Sequence, residues 1–480
     1  MFANLIDGAW VEGDTASVNV NPSDLTDVIG EFARADAAQA KQAVGSAAAA
    51  QRGWAARPGG ERFEILDRAG TEVLARSEEL GALLAREEGK TLTEAVGEVR
   101  RAGQIVKFHA GEAVRSPGEL LPSVRADVEV LVSREPVGVV SVITPWNFPL
   151  AIPAWKIAPA LAHGNAVVFK PADLVPASAW HLVEILHRAG LPAGVLNLVM
   201  GRGRDIGDTL TADPRVDAVS FTGSTATGLG ILASAQAHRA RVQLEMGGKN
   251  PLVILDDADL DAAVAGALEG AFGSTGQRCT ASSRLIVTDA IHDAFVDSLR
   301  SAMGKLVVGD ARDPRTEMGP VVDATQLAQD RRYLELAVEQ GGRLFGGDVL
   351  SRPTKGHFLA PALVVDTHSD HTINREEVFG PVASVVRVGD LDAAIAVAND
   401  TDFGLTSGIY TRSLAAASRF RRESRAGMVM VNVPTAGVDY HVPFGGRGAS
   451  SYGPREQGRD ARDFYTTTKT SYVRAGSWTR

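Results

Sequence analysis

A single cysteine, Cys279, stands in a chain of 480 residues, which excludes an intrachain disulfide and any cluster of thiolate metal ligands. The ten histidines form no close pair of the kind that grips zinc, so no metal site is expected. Apolar runs all fall short of the roughly 20 residues that cross a bilayer. The opening MFANLIDGAW lacks the basic and apolar regions of a secretory signal, so cytoplasmic placement is expected, with no membrane partner. Positive charge is also scarce. Lys and Arg number 49 against 58 Asp and Glu, a net charge of −9, and a nucleic-acid partner would want the opposite balance. The densest cationic cluster, Arg419, Arg421 and Arg422, reads as one solvated helix face. What remains is an ordinary globular composition, 45% hydrophobic and 22% charged, in a chain too long for one core, so two or three domains are expected.

Leu5-Ile6, Asp7-Gly8 and Ala9-Trp10-Val11 read as a hairpin. From Ala37 to Ala113 the pattern is helical, with breaks at Pro58-Gly59-Gly60 and at Gly89. Residues 125–141 alternate apolar and polar positions in their first half and suggest an extended ribbon. Short β-branched runs then alternate with helical stretches: Val139–Thr144, Asn165–Lys170, Val195–Val199 and Ala218–Gly223. A second series follows at Pro251–Leu255, Arg284–Thr288, Ala362–Asp366, Val382–Val388 and Met428–Asn432. Such alternation is the signature of parallel sheets, and it predicts two α/β domains joined near residue 250. Within the second series, Leu260, Val264, Leu268 and Phe272 mark an amphipathic helix that Asp257 or Asp259 would cap.

Four short sequences carry side chains suited to chemistry: Thr144-Pro145-Trp146-Asn147-Phe148-Pro149, Leu244-Glu245-Met246-Gly247-Gly248, Gly276-Gln277-Arg278-Cys279-Thr280 and Glu376-Glu377-Val378-Phe379-Gly380-Pro381. Each adjoins a predicted strand, where α/β enzymes place ligand-binding groups. A lone cysteine is more often a small buried hydrophobe. Here, however, Gly276 permits a tight turn and the adjacent Arg278 would lower the thiol pKa. Glu245 is either a surface carboxylate or a general base turned into a cleft. The Asn147 amide serves either turn chemistry or an oxyanion. Gly201-x-Gly203-x-x-x-Gly207 has one residue too many for a dinucleotide fingerprint. Gly223-Ser224, running on to Gly228, is the better phosphate turn, since it follows a strand and opens a helix.

Together the four sequences resemble the aldehyde dehydrogenase superfamily over nearly the whole chain. The resemblance implies Cys279 as nucleophile, Glu245 as general base, Asn147 as oxyanion donor and Lys156 as a residue ordering the site, against the plain reading of Lys156 as a solvated helix residue. It implies a ribose motif in Lys170, Ala172 and Asp173, a pyrophosphate turn in Phe221, Thr222, Gly223 and Ser224, and a nicotinamide-riboside pair in Glu377 and Phe379. Ile143, Thr144, Pro145, Trp146, Gly203, Gly207, Thr227, Met246 and Gly247 complete the implied cofactor set, which also includes Asn147, Glu245 and Cys279. The implied fold is α/β, with a dinucleotide-binding domain (1–121 and 140–249), a catalytic domain (250–445) and a small β oligomerisation arm (122–139 and 460–480). A homodimer or homotetramer would follow. An acidic Asp173 accepts from ribose hydroxyls and repels a 2′-phosphate, which favours NAD, with NADP possible. Glu245 favours hydrolysis of the acyl intermediate over its transfer to coenzyme A.

The segment from Asn432 to Glu456 resembles the branch of the family that oxidises 2,5-dioxovalerate (α-ketoglutarate semialdehyde). A substrate of that class carries a carboxylate, and Arg278 would either bind it or make a structural ion pair; Phe444 is a second candidate substrate contact. The competing readings are a broad-specificity aliphatic or aromatic aldehyde dehydrogenase and a catalytically silent structural protein.

Overall fold

The computed structural model describes residues 1–115, 118–474 and 476, so Ala475 and residues 477–480 of the expected arm lie outside the described residues. Two large sheets dominate. In the first, the strands run Ser451–Tyr452, Arg241–Glu245, Ala218–Thr222, Val139–Ile143, Ala166–Lys170, Leu196–Leu198, Asn4–Ile6 and Ala9–Val11. Its five central strands are parallel, and the flanking pairings are antiparallel. The N-terminal hairpin closes as expected, with Leu5 opposite Trp10 and Ile6 opposite Ala9. Strand order reverses between Val139–Ile143 and Ala218–Thr222. In an open parallel sheet, ligands bind in the crevice outside such a switch point.

The second sheet runs Arg343–Gly346, Ala362–Thr367, Val382–Val388, Ser282–Thr288, Asn250–Ile254, Thr406–Tyr410 and Met428–Val431, parallel except for its first strand. The chain passes from the first sheet to the second through Met246-Gly247-Gly248-Lys249, immediately after Glu245. A smaller sheet pairs Thr466–Arg474 with Val128–Pro136 and Glu119–Pro122, and Thr15–Asn21 pairs with Asp24–Arg34. Among the described residues no helix is long and apolar enough to cross a membrane.

The structure adds to the sequence reading in several places. The helical stretch breaks once more, at Arg76, between Gly59–Ala75 and Ser77–Glu88. Strands Arg241–Glu245 and Thr406–Tyr410, absent from the expected series, are short and rich in polar residues, although both are almost wholly buried. The helix Leu260–Phe272 is capped by Asp259, whose carboxylate accepts from Ala262 N at 3.1 Å. Its buried residues are Ala263, Gly266, Ala267, Gly270, Ala271 and Phe272; of the expected stripe, Phe272 is in the core while Leu260, Val264 and Leu268 only flank it. A side chain at Gly266 would collide with Tyr410, so this helix packs through its smallest residues.

Candidate active site

The turn after Val139–Ile143 enters the switch-point crevice. Its Asn147 is buried and held from two sides. The side-chain Nδ2 donates to the Gln277 carbonyl at 2.8 Å, and the backbone oxygen accepts from Lys90 Nζ at 2.8 Å. Lys90 is paired at 2.7 Å with Glu98, whose other oxygen accepts from Leu150 N (3.0 Å) and Ala151 N (3.1 Å). These amides open the helix Ala151–Ala162, so one buried ion pair fixes both the turn and the helix behind it.

Cys279 follows the tight turn Gly273–Gly276, in which Ser274, Thr275 and Gly276 all take positive φ. A Cβ at Gly276 would collide with the Gly380 carbonyl, so the cysteine turn and the Glu377–Gly380 loop touch backbone to backbone. The thiol is half-buried and opens into a cleft of about 340 Å³. Its pKa is not lowered. Burial pushes it up to about 12, with Glu377 and Glu245 acting in the same direction. The expected help from Arg278 is missing because its guanidinium is held by Glu94 and Glu269, each at 2.9 Å. Of the two readings of Arg278, the geometry matches the structural ion pair.

Glu245 ends the strand Arg241–Glu245 and is buried, and Ser451 Oγ donates to its carboxylate at 2.6 Å. Burial, then the nearby Glu456, holds this carboxyl well above the usual range, while Ser451, Lys156 and Arg455 oppose the shift. Lys156 is fully buried, which removes the solvated-helix reading. Its Nζ donates to Ser220 Oγ at 2.9 Å and pairs with Glu456. Ser451 and Glu456 both lie in the Asn432–Glu456 segment that carries the branch resemblance, but neither was assigned a role from the sequence. Phe444 is buried, packs against Trp155 with ring centroids 5.4 Å apart and planes tilted by 31°, and does not line the 340 Å³ cleft.

The same cleft gathers much of the expected cofactor set. Pro145 and Trp146 line one wall, Thr222, Gly223 and Ser224 another, and Met246, Gly247, Glu377 and Phe379 a third. Gly248 N donates to Glu377 at 2.8 Å, and a side chain at Gly247 would collide with that carboxylate. Phe379 has a positive φ of 66° and meets Trp146 edge to face at 5.3 Å. Ser224 caps the helix Thr225–Gln236, accepting from Thr227 N, which leaves the remaining first-turn amides for an anion. Phe221 is buried one strand position before Thr222, whose hydroxyl is buried without a partner at the cleft wall. An open helix N-terminus, an orphaned hydroxyl and a glycine-lined wall fit a dinucleotide.

The remaining cofactor candidates lie further along the crevice. Ile143 ends its strand, and Thr144 N donates to the Lys170 carbonyl at 3.2 Å. Lys170 Nζ donates to the carbonyls of Pro171 (2.8 Å) and Gly201 (3.1 Å), and burial pushes its pKa down to about 8. Ala172 is half-buried beside it. Asp173 is already engaged by Ser17 and Arg34, with Arg202 at 3.7 Å. Gly203 opens the helix Gly203–Ala212 and Gly207 sits within it, both facing open space. Four cleft residues went unforeseen: Ile152 on the helix Ala151–Ala162, and Gln326, Gln329 and Tyr333 on the helix Ala324–Glu339. The i, i+3, i+7 spacing of the three on the second helix puts them on one face, a signal present in the sequence.

The profile of the aldehyde dehydrogenase family matches residues 10–471. An α-ketoglutaric semialdehyde dehydrogenase of Bacillus subtilis (strain 168) is 41% identical over 479 residues, covering 98% of each chain. A crystallised betaine aldehyde dehydrogenase of Staphylococcus aureus, in complex with NAD+, superposes with a TM-score of 0.96 at 32% identity, covering 100% of this chain and 97% of that one. A crystallised NADP-dependent enzyme of Escherichia coli superposes with a TM-score of 0.95 at 36% identity, covering 98% of each.

Proposed function

The chain belongs to the aldehyde dehydrogenase family, and from that premise we propose that it oxidises a carboxylate-bearing semialdehyde such as 2,5-dioxovalerate to the free acid. The observation that carries the reading is the convergence of Cys279 and Asn147 on the cleft, with Glu245 buried close enough to act on the thiol. Lying at the switch point of the first sheet, the cleft is also where a dinucleotide would bind. When bound, the dinucleotide supplies the oxidised nicotinamide, a cationic hydride acceptor.

The resting thiol is protonated, so its activation falls to Glu245 and to the positive charge that arrives with the oxidised cofactor. The Cys279 thiolate adds to the aldehyde carbon, and the carbonyl electron pair moves onto oxygen. Asn147 Nδ2 and the Cys279 backbone N–H supply donors to that oxyanion; loss of one such donor costs roughly 3 kcal/mol. As the C–O double bond re-forms, the hydride departs with its electron pair and leaves a thioester on Cys279. Once the thiol's proton has passed from Glu245 to solvent, Glu245 takes a proton from water, the hydroxide adds to the thioester, and the C–S bond breaks to release the acid and the Cys279 thiolate, which is protonated again. Lys156 and Glu456 form a neutralised pair beside Glu245.

NAD is the favoured dinucleotide. Asp173 presents a carboxylate where the resemblance places the adenosine ribose, and the Staphylococcus aureus relative was crystallised with NAD+. The flanking Arg34 and Arg202 keep NADP as the alternative. The segments 1–121 and 140–249 would form the dinucleotide-binding domain, 250–445 the catalytic domain, and 122–139 with 460–480 the oligomerisation arm of a cytoplasmic homodimer or homotetramer. A second reading, a broad-specificity aldehyde dehydrogenase, draws support from the apolar Trp155–Phe444 pair.

The test is a cofactor-reduction assay over 2,5-dioxovalerate, succinic semialdehyde and pentanal, with NAD and with NADP. The reading expects carboxylated aldehydes to exceed pentanal in kcat/KM by at least roughly tenfold, as a charge-assisted contact would produce. It also expects Cys279→Ser to abolish turnover. Equal use of pentanal would overturn the substrate class and leave the broad-specificity enzyme.

A further inference from the structure

With Arg278 held between two glutamates, a different arginine is left free to meet an anion near the nucleophile. Arg101 lies on the helix Leu92–Ala113, and among the described residues no carboxylate comes within 4 Å of it. Its one hydrogen bond runs from Nη2 to the Gln457 amide oxygen at 3.3 Å, and its Nε is buried without an acceptor. The guanidinium carbon sits 5.7 Å from the Trp155 ring, which in turn packs against Phe444. Both neighbours of Arg101 carry the same deficit: Trp155 Nε1 and Gln457 Nε2 are buried donors with no acceptor.

Three adjacent side chains therefore hold buried N–H groups, and no protein acceptor answers those groups. Buried donors are almost always satisfied, because each orphan costs roughly 1–3 kcal/mol. Such a cluster around a cation is understandable if the acceptor is a ligand. Its position supports this. Trp155 precedes Lys156 and Gln457 follows Glu456, so the buried Lys156–Glu456 pair fixes the same two stretches that bring the donors to Arg101. Arg101 is also close enough to Cys279 for a thiolate there to favour its charged form, as do Glu98 and Asp439, against the burial that disfavours it.

We infer that Arg101, with Gln457 and Trp155 beside it, receives the carboxylate tail of the aldehyde substrate and is the specificity-determining residue of this enzyme. The inference rests on the semialdehyde reading above and names the group that reading lacked. A guanidinium offers a carboxylate two parallel N–H bonds, and the apolar faces of Trp155 and Phe444 suit the short carbon chain between the carboxylate and the aldehyde.

The experiment compares kcat/KM for 2,5-dioxovalerate and for pentanal in the wild type and in Arg101→Met, Arg101→Lys, Gln457→Leu and Arg278→Met. Removing one partner of a desolvated charge pair predicts that Arg101→Met lowers the 2,5-dioxovalerate-to-pentanal ratio by roughly 30- to 300-fold, mainly through KM. Arg101→Lys is expected to retain part of the ratio. Gln457→Leu leaves the cation in place and lowers the ratio by a few-fold, which keeps the test open should Arg101→Met fold poorly. Inhibition by 2-oxoglutarate, an unreactive carboxylate probe, weakens in parallel with the ratio. A purely structural role would lower both substrates alike and leave the ratio unchanged, and that result overturns the inference, as does a ratio that collapses in Arg278→Met instead. Should the wild type prefer 2,5-dioxovalerate and Arg101→Met keep that preference, the role of Arg101 falls while the substrate class stands. A wild type without the preference overturns both.

Discussion

Glu245 and Cys279 share an electrostatic condition: each is held toward its protonated form by burial and by neighbouring carboxylates. A base with a raised pKa is a better proton acceptor once ionised, but it must first lose its own proton. Steady-state turnover is therefore expected to rise with pH through a limb displaced above the ordinary carboxylate range, and Glu245→Gln should abolish that limb. The same variant separates the two halves of the reaction. Acylation, left with the cofactor's positive charge alone to assist the thiol, should be slower but still release a stoichiometric burst of reduced cofactor, while turnover drops roughly 100-fold or more; full steady-state activity would remove Glu245 from the hydrolytic step. A second buried carboxyl tests the linkage of charge to stability. Both oxygens of Glu88 are buried without partners, and burial pushes its pKa up to about 8. The folded state thus keeps a proton that the unfolded chain releases near its ordinary pKa of about 4.3. The stabilisation is complete below that value and is lost as pH rises through about 8. Glu88→Gln is accordingly expected to melt higher than wild type at pH 9, with the gap closing or reversing toward pH 5. Parallel melting curves across that range would count against a proton on Glu88.

At the scale of elements, the site is made of strand ends and the loops that follow them, and those were the parts the sequence displayed most clearly. Asn147, Cys279 and Glu377 sit in short motifs beside β-branched runs, so their joint placement in one crevice, with Glu245 buried close by, follows from the parallel topology. Residues whose function depends on packing were harder to read. The face of the helix Ala324–Glu339 that carries Gln326, Gln329 and Tyr333 has an ordinary polar composition, and only the fold reveals its proximity to the cleft. In the same way the thiol pKa depends on where the arginine beside it points, and Glu94 and Glu269 are 185 and 10 residues earlier in the chain than Cys279, by simple subtraction of their numbers. That helix grips the cofactor loop directly. Gln326 and Gln329 both donate to the Val378 carbonyl, at 3.0 and 2.9 Å, and Tyr333 OH donates to Glu376 at 2.6 Å. Gly380 packs so tightly on Asp330 that an added Cβ would collide with its carboxyl group. Gly380→Ala should therefore displace the loop bearing Glu377 and Phe379 and raise KM for the dinucleotide, with a loss in kcat/KM of roughly 100-fold for a shift near 1 Å. An unchanged KM would mean that the loop is positioned by something other than this helix.

For the molecule as a whole, the physical tension lies in the three-stranded sheet. The central strands of the two large sheets are buried on both faces, whereas Glu119–Pro122 is exposed along its whole length and Thr466–Arg474 along most of it. Leu120 and Leu131 are direct cross-strand partners, yet they remain 68% and 42% exposed. Leu121, Tyr472 and Val473 are exposed in the same sheet. Open strand edges combined with apolar side chains promote uncontrolled pairing unless something covers them. A second copy of the chain would cover such a surface with closed symmetry, which would give the proposed homodimer or homotetramer a physical cause. Leu120→Asp combined with Leu131→Asp would place two like charges directly opposite each other on that face, which costs little where water is present and much where a partner excludes it. Light scattering should find wild type as a dimer or tetramer and the double variant shifted to monomer, with dinucleotide binding retained because none of the cleft's lining residues belongs to this sheet. A monomeric wild type would overturn the assignment of this sheet as the oligomerisation arm, and a double variant that kept the wild-type mass would move the interface elsewhere on the surface.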